Sequence, residues 1–433
     1  METGYPLPDF VIKEFDEYLK CGILAHGFLR AKCESCSNEH LVAFSCKKRG
    51  FCPSCGVRRM NESAIHMVDE VLPTDKAIRQ WVLSFPFQLR LLLAIRPKIM
   101  GKCLAITTKC ISNHLIKKAG LKKAKAKSGA VTLIQRFGGS INLNVHFHQL
   151  AIDGVYAVND NNELRIFHPI AAPTKPELAS VLLEIINKIT RYLEKSGIII
   201  KDDENKEFQL EIPQEDSLSR LQAAAVTYRF AIGANKGKKA LVLKTMPETD
   251  HNSKKGLVAA NSGFSLHAGV QVGAGKKKDL EKLCRYIARP PIAEERLSQN
   301  ANGQVVYKLK RPYDDGTSHI VMSPMELMEK LASIVPRPRV HLTRFHGILA
   351  PHYKHRKMIV PVKAEPPKLE LVTDQTPIEK LAEQKKKSRI SWARLLKRIF
   401  GIDVETCNLC GGKVKIISAI EDPKVIKKIL DHV

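Results

Sequence analysis

Two cysteine pairs near the start of the chain have the spacing of metal ligands. Cys33 and Cys36 form one pair, Cys52 and Cys55 form the other, and fifteen residues lie between the pairs. A Cys-x2-Cys loop is short enough for both thiolates to reach one ion, and tetrahedral zinc takes two such pairs. The spacing therefore predicts a structural zinc site with these four ligands, which would stabilise a segment too small for a large apolar core.

Other candidate zinc ligands lie close to these pairs, namely Cys21, His26, His40 and Cys46. With the first four cysteines they make eight ligands, enough for two closed sites, and Cys21 and Cys46 are the candidates we favour for the second. A histidine here could equally lie on the surface, and Cys46 could be buried without a metal. The choice between one zinc and two stays open.

A further cysteine pair, Cys407 and Cys410, lies near the far end of the chain and is followed by two glycines. This is half of a zinc ribbon, and no second pair follows before Val433. A zinc ion here would need distant ligands or another chain. The alternative is a glycine-rich turn with two buried thiols.

His146 and His148 are two residues apart in a segment whose apolar residues alternate. In a β-strand, residues at this spacing point to the same face, where two imidazoles can hold one divalent ion. His-x-His alone is a weak motif, but Val145 and Phe147 indicate a buried central strand. We therefore expect His146 and His148 to act together as metal ligands.

A tyrosine lies on a predicted helix from Asp279 to Ala288. Tyr286 is to one side of the apolar stripe of this helix, and Lys282 and Arg289 share its face. Cations beside a tyrosine hydroxyl can hold a phosphate and favour the phenolate, which suits attack on a phosphodiester. The alternative is a boundary tyrosine that packs on a neighbouring element.

Hydrophobic periodicity predicts the elements that position these groups. The segments Ala130–Phe137, Ile141–Asp153 and Phe264–Val272 have the pattern of strands. Thr174–Gly197 has the pattern of an amphipathic helix, and the pattern from Pro73 to Ile116 is also helical.

The charge of the chain indicates its class of partner. Its 433 residues include 70 Lys and Arg against 44 Asp and Glu, which gives a formal charge of +26. A polyanion, most commonly nucleic acid, is the expected partner. No stretch reaches the ~18 apolar residues of a membrane span, and the N-terminus lacks the pattern of a secretory signal. We therefore expect a soluble, intracellular protein with no membrane partner.

Longer motifs extend over nearly the whole chain. They are Cys21-Gly, His26-Gly-Phe28, Phe44-Ser-Cys-Lys-Lys-Arg-Gly-Phe-Cys-Pro-Ser-Cys55, Arg79-Gln-Trp-Val-Leu-Ser84, Gln135-Arg-Phe-Gly138, Asn142-Leu-Asn-Val-His-Phe-His148, Asp153-Gly-Val-Tyr156, Leu266-His-Ala268, Arg285-Tyr-Ile-Ala-Arg-Pro-Pro291, Phe345-His-Gly-Ile-Leu-Ala-Pro351 and Cys407-x2-Cys410-Gly-Gly. Together they resemble the rolling-circle transposases of the insertion sequence ninety-one family, members of the His-hydrophobe-His (HUH) endonuclease superfamily.

The resemblance implies an α/β (α+β) fold. An HUH-endonuclease-like antiparallel sheet would carry the His pair, with helices on one side and a small N-terminal zinc-binding domain. It also implies a transposase whose tyrosine attacks single-stranded DNA, keeps the 5′ end as a phosphotyrosine and frees a 3′ hydroxyl. Tyr286 would be the single nucleophile, because Lys282 occupies the earlier position of the Tyr-x3-Tyr motif that some members carry.

The implied cofactors are structural Zn²⁺ and a catalytic Mg²⁺ or Mn²⁺ held by His146 and His148. The third catalytic ligand would be Gln135 or His267, and an oxygen ligand suits Mg²⁺ better. The implied partners are single-stranded DNA at transposon ends and at the target, in the bacterial cytoplasm at the nucleoid. The oligomeric state stays open.

Two other functions fit parts of the pattern. A plasmid replication initiator or relaxase would use the same chemistry, but the zinc module weighs against it and a helicase domain is missing. A non-catalytic zinc-dependent DNA-binding protein, such as a decayed transposase, is opposed by the intact Tyr286 and both histidines.

We predict five regions along the chain. These are a zinc-binding, DNA-contacting domain (1–72), a helical and basic connector (73–129), the HUH catalytic domain (130–300), a basic extension (301–365), and a linker with the C-terminal Cys-x2-Cys module (366–433).

Overall fold

The computed structural model describes residues 6–159, 163–202, 207–210, 216–244, 256–313, 315–361 and 405–432. Within these ranges there are nine α-helices: α1 (Asp9–Lys20), α2 (Pro53–Glu70), α3 (Phe87–Ile95), α4 (Pro97–Lys118), α5 (Lys175–Lys195), α6 (Ser217–Val226), α7 (Lys277–Ala288), α8 (Pro324–Ile334) and α9 (Pro423–Leu430). None of them is long and apolar enough to cross a bilayer.

The same ranges contain eighteen strands: β1 (Phe28–Cys33), β2 (Glu39–Ala43), β3 (Ile78–Ser84), β4 (Ala126–Lys127), β5 (Gly129–Phe137), β6 (Leu143–Ile152), β7 (Gly154–Val158), β8 (Leu164–Pro169), β9 (Ile199–Asp202), β10 (Glu207–Leu210), β11 (Leu241–Lys244), β12 (Val258–Asn261), β13 (Phe264–Val272), β14 (Leu297–Gln299), β15 (Val305–Lys308), β16 (Thr317–Met322), β17 (Thr343–Gly347) and β18 (Val414–Ile420). They form five sheets, the largest with six strands. The predicted α/β class with antiparallel sheets is confirmed.

The strand β6 lies inside the six-stranded sheet, whose order is β12-β13-β3-β6-β5-β17. It pairs antiparallel with β3 on one side and with β5 on the other. Nearly all of its residues are buried. The strands predicted for β5, β6 and β13 are confirmed, as are the helices predicted for α5 and α7.

Helices cover both faces of this sheet. On one face, Phe147 and Ala151 belong to an apolar cluster with residues of α3, α4 and α5. On the other, Leu150 and Ile152 belong to a cluster with residues of α2 and α7. The expectation of helices on one side is therefore wrong, because β6 carries apolar side chains toward both faces and each face needs a cover.

The segment Ile78–Ser84 is the strand β3, so the helical prediction from Pro73 to Ile116 is wrong for these residues. Trp81 and Leu83 are buried, and the backbone bonds to β6 and β13 on its two sides. A short apolar run of this kind does not distinguish a buried strand from a helix by periodicity. The helical prediction holds for α3 and α4.

A small sheet joins the two ends of the chain. Its order is β18-β1-β2, and the C-terminal strand β18 runs antiparallel to β1. In the large sheet, β17 likewise pairs with β5. Strand pairing thus connects segments that lie far apart in the sequence. The division of the chain into five regions stays a prediction. The predicted linker from Pro366 to Lys387 lies outside the described residues.

The helix α2 of the N-terminal module (residues 6–72) packs against α7. A Cβ atom placed on Gly56 would lie 2.5 Å from Cβ of Pro290, just after α7, so only glycine fits there without a shift. Asp69 and Lys277 form an ion pair of 2.8 Å across the two helices. The N-terminal module therefore directly supports the helix that carries Tyr286.

Candidate active site and metal centres

The two histidines of β6 lie side by side on the face that α7 covers. Their ring centroids are 4.8 Å apart, and they are only 9% (His146) and 6% (His148) exposed. Burial lowers the pKa of His146 to about 4, helped by the charges of Arg289 and Arg90. Burial, His146 and Arg289 also lower the pKa of His148. Both imidazoles are therefore neutral at pH 7, the form that binds a metal ion.

Hydrogen bonds determine which ring nitrogen is free. His146 Nδ1 lies 2.8 Å from the carbonyl oxygen of Asn144, so Nδ1–H donates and Nε2 keeps its lone pair. His148 Nδ1 lies 2.7 Å from the amide nitrogen Nε2 of Gln80 on β3, so the amide as placed donates to Nδ1. The opposite orientation of the amide, with its oxygen toward Nδ1–H, is needed to free Nε2 of His148 for a metal ion. Outer hydrogen bonds of this kind orient metal-binding histidines.

Gln135 on β5 is directly opposite His146. Its Nε2 donates to the carbonyl oxygen of Ile287, 3.1 Å away, whereas its buried Oε1 has no hydrogen-bond partner among the described residues. A buried polar atom without a partner costs ~1–3 kcal/mol, and a bound cation would satisfy it. Two imidazole nitrogens and one amide oxygen thus fit a divalent ion such as Mg²⁺ or Mn²⁺.

His267 lies farther from the pair than Gln135 does. It is opposite Val82 of β3, and Val82 is in turn opposite His148. Two strand spacings, about 10 Å, therefore separate the backbones of His267 and His148. Gln135 and His146 are neighbours at one spacing, so the register favours Gln135 as the third ligand.

Tyr286 lies in the last turn of α7 and is 44% exposed. The guanidinium carbon of Arg289 is 4.6 Å from the centroid of its ring, and Nζ of Lys310 is 4.7 Å from it. Burial would raise the pKa of Tyr286, but the hydrogen bond and charge of Arg289, with the charges of Lys310 and Arg311, outweigh it and lower the pKa. The phenolate is therefore more accessible here than in an ordinary tyrosine.

The second cation is not the predicted one. Lys282 forms an exposed ion pair with Asp279, 3.4 Å apart, while Lys310 comes from the loop after β15. Helical spacing finds neighbours on the same helix only, so it found Arg289 and missed Lys310. For Gln80, the signal was present in the sequence as a polar residue inside an apolar strand.

A cavity of about 400 Å³ opens between the N-terminal module and the six-stranded sheet. No carboxylate is among the described residues that line it, and cations enter it from both sides. Its polar lining includes Lys48, Arg49, Arg59, Gln135, Arg136 and Arg289. We call this space the basic cleft. A positively charged cleft that ends at a candidate metal ligand suits a strand of phosphodiesters.

The cysteines form two clusters, and their grouping corrects the prediction. Cys33 and Cys36 do not share a site with Cys52 and Cys55. The thiols of each cluster lie within 4.8 Å of one another, and the two groups are Cys21, Cys46, Cys52, Cys55 and Cys33, Cys36, Cys407, Cys410. His26 and His40 belong to neither cluster. Spacing misassigned the pairs because β18 brings the C-terminal pair beside the end of β1, a contact between distant parts of the chain.

The first cluster is built at the start of α2. Cys52 is the residue before the helix, and Cys55 lies in its first turn. The sulfur of Cys55 lies 3.7 Å from the sulfur of Cys21 and 3.5 Å from the sulfur of Cys46. The partial positive charge of a helix N-terminus favours thiolates, so these four sulfurs suit a tetrahedral zinc ion.

Comparison with known families gives two matches. Residues 129–357, more than half of the chain, match the family model described as "Putative transposase". Residues 2–85 match the model of the insertion sequence ninety-one type described as "Transposase zinc-binding domain". No curated protein and no solved structure matches the chain. The first match includes His146, His148 and Tyr286, and the second includes the first cysteine cluster.

Proposed function

The chain belongs to the transposase family that its central and N-terminal segments match, of the insertion sequence ninety-one type, and we propose that it nicks and rejoins single-stranded DNA through Tyr286. This is rolling-circle transposition of the HUH type, acting at transposon ends and at the target. One observation carries the proposal. Tyr286 lies beside two cations on a helix whose last turn is hydrogen-bonded to the sheet beside His146.

The chemistry is an exchange of phosphodiesters. Arg289 and Lys310 bind the phosphate oxygens and favour the phenolate of Tyr286. The phenolate oxygen bonds to phosphorus while the bond from phosphorus to the 3′ oxygen breaks. The 5′ phosphate stays on Tyr286, and the departing 3′ oxygen takes a proton. A second 3′ hydroxyl then loses its proton, attacks the phosphotyrosine and releases Tyr286, so no nucleotide cofactor is consumed.

His146, His148 and Gln135 would hold the catalytic Mg²⁺ or Mn²⁺. When bound, such an ion polarises the phosphate and stabilises the leaving oxygen. The chain's own contribution is to keep both imidazoles neutral by burial and to orient the two rings through hydrogen bonds to Asn144 and Gln80.

The basic cleft would hold the DNA strand on its way to Tyr286. Some of the cationic side chains that line the cleft belong to the N-terminal module. In this module the first cysteine cluster binds structural zinc. Loss of that zinc is therefore expected to weaken DNA binding as well as to unfold the module. We place this activity in the bacterial cytoplasm, at the nucleoid.

The decisive experiment is a test for a covalent adduct. The protein is incubated with single-stranded DNA of the element's end and Mn²⁺, and the products are separated under denaturing conditions. We expect an adduct with the wild-type protein, none with Tyr286→Phe, and a normal yield with Tyr313→Phe, a matched tyrosine that is 40% exposed.

Each alternative has its own result. A normal adduct with Tyr286→Phe would exclude this nucleophile. Binding without any wild-type adduct would indicate a non-catalytic DNA-binding protein. An adduct on plasmid origin DNA, but not on element ends, would indicate a replication initiator or relaxase.

A further inference from the structure

The second cysteine cluster combines residues from the two ends of the chain. The sulfurs of Cys33 and Cys410 are 3.5 Å apart, as are those of Cys36 and Cys407. All four sulfurs lie within 4.8 Å of one another. We propose that these four cysteines bind a second structural zinc ion, which fastens the C-terminal module (residues 405–432) to the N-terminal module.

Both cysteine pairs already have the backbone form of zinc-binding turns. In the first, the backbone N–H of Ser35 points to the sulfur of Cys33, 3.4 Å away. In the second, the N–H of Gly412 points to the sulfur of Cys410, 3.3 Å away. N–H groups aimed at sulfur stabilise thiolates, which are the form that binds zinc.

The two turns are packed face to face. A Cβ atom on Gly412 would lie 2.4 Å from the hydroxyl oxygen of Ser35 and 3.1 Å from the sulfur of Cys33. The left-handed conformation of Gly411, with φ of +72°, lets the chain turn back after Cys410. The geometry thus depends on both glycines after the second pair.

Backbone pairing keeps the two turns in register. Cys33 is opposite Val414 in the pairing of β1 with β18, and the N–H of Glu34 donates to the carbonyl oxygen of Lys413, 2.9 Å away. The four sulfurs are therefore brought together by the fold and not by a chance contact of side chains.

The apolar core at this junction is too small to hold it. The buried cluster there comprises Ala31, Cys33, Cys407 and Val414. Structural zinc can contribute roughly 10–16 kcal/mol of apparent binding free energy in small modules. A metal ion is thus the interaction that could keep the C-terminal strand in place.

Two of the four proposed ligands, Cys33 and Cys36, lie within the segment that matches the zinc-binding domain, but none of the four belongs to the first cluster. The first cluster lies wholly within residues 2–85, whereas Cys407 and Cys410 lie outside both family matches. The second zinc site does not depend on DNA cleavage. It can therefore be disproved while the proposed function holds, and the proposed function can be disproved while the zinc site holds.

The test uses the full chain with a recognition site for a specific protease inserted between residues 366 and 387. Zinc content is measured by mass spectrometry of the element, and association of the two fragments after cleavage is measured by gel filtration. We expect two zinc ions per chain and fragments that stay together. Cys410→Ser should hold one zinc ion and release its C-terminal fragment, and Cys410→His should restore both properties.

Cys110→Ala is the matched control, because Cys110 is buried in α4 outside both clusters, and it should keep two zinc ions. A wild-type protein with one zinc ion, or a Cys410→Ser variant with two, would overturn the proposal. So would an intact mass showing disulfides among these cysteines. Fragments that stay together in Cys410→Ser would show that strand pairing alone holds the module, and the fastening role would be wrong.

Discussion

Gln135 donates a hydrogen bond to the carbonyl oxygen of Ile287, the residue directly after Tyr286. The same side chain directs its other polar atom, Oε1, to a buried position without a partner among the described residues. One residue therefore contacts the helix that carries Tyr286 and lies next to His146. This arrangement would couple the position of the metal ion to that of Tyr286.

We expect Gln135→Leu to lower the affinity of the protein for the catalytic metal ion. It removes the amide oxygen, so the Mn²⁺ concentration for half-maximal adduct formation should rise by about 10–100-fold, the range seen when supports of a metal site are lost. His267→Ala should change it less than about threefold, because two strand spacings separate it from His148. The opposite ranking of the two variants would make His267 the third ligand.

Arg289→Ala should shift the pH dependence of adduct formation. Burial alone raises the pKa of Tyr286, and Arg289 is the largest influence that lowers it. Without Arg289 the pKa rises, so the fraction of phenolate at pH 8 falls and the rate continues to increase at higher pH. Because phosphate stabilisation is lost too, the rate at pH 8 should fall by about 10²-fold.

Lys282→Ala is the matched control for Arg289. Its ammonium group is paired with Asp279 at an exposed position, so single-turnover rates between pH 6 and 10 should follow those of the wild type. A profile shifted as in Arg289→Ala would show that Lys282 serves the nucleophile after all.

The buried histidines make stability depend on pH. The pKa of His146 is about 4 in the folded protein against 6.5 as its ordinary value. Between these values the unfolded chain binds a proton that the folded chain does not, so the free energy of unfolding falls as pH drops from 6.5 to 4. One such histidine accounts for about 3 kcal/mol.

Urea titrations without chelator, which leave zinc bound, should show this dependence in the wild type and a smaller one in His146→Gln. The neutral amide removes one titrating group while keeping a side chain of similar size. An unchanged slope of stability against pH would mean that His146 is already accessible to protons in the folded state.

The basic cleft predicts where the salt dependence of DNA binding originates. Each phosphate contact contributes about −0.7 to the slope of log K against log salt for single strands. Replacing Lys48 and Arg49 with Gln should therefore flatten the slope by about 1.4, with affinity lost equally on all sequences. Replacing Lys122 and Lys123 together removes the same charge from residues that do not line this cleft.

Fluorescence anisotropy at several salt concentrations compares the two double variants. If the Lys122 and Lys123 variant flattens the slope and the Lys48 and Arg49 variant does not, the strand follows the basic connector (73–129) that contains these two lysines instead of the cleft.

Local patterns were enough to identify the central strand and the tyrosine helix. His146 and His148 stand out because their alternation with Val145 and Phe147 fits a buried strand, and Tyr286 because its neighbours at helical spacing include Arg289. Both elements lie within one or two residues of the predicted bounds. Such features depend only on residues close in sequence.

Contacts between distant segments could not be predicted in the same way. The cysteine pairs were grouped by spacing, but the pairing of β1 with β18 decides which sulfurs meet. Lys310 reaches Tyr286 from a loop after β15, and β3 is a strand because β6 and β13 offer it partners on both sides. Nothing in the local sequence carries that information.

The close contact of Gly56 with Pro290 has a consequence for how such proteins can recombine during evolution. The N-terminal module abuts the chain just past α7, with no room for even a methyl group at position 56. A module taken from another transposase would fit only if its α2 carried a similarly small residue facing that proline. Exchange of the module alone is thus constrained at this junction, and the module and α7 should be inherited together.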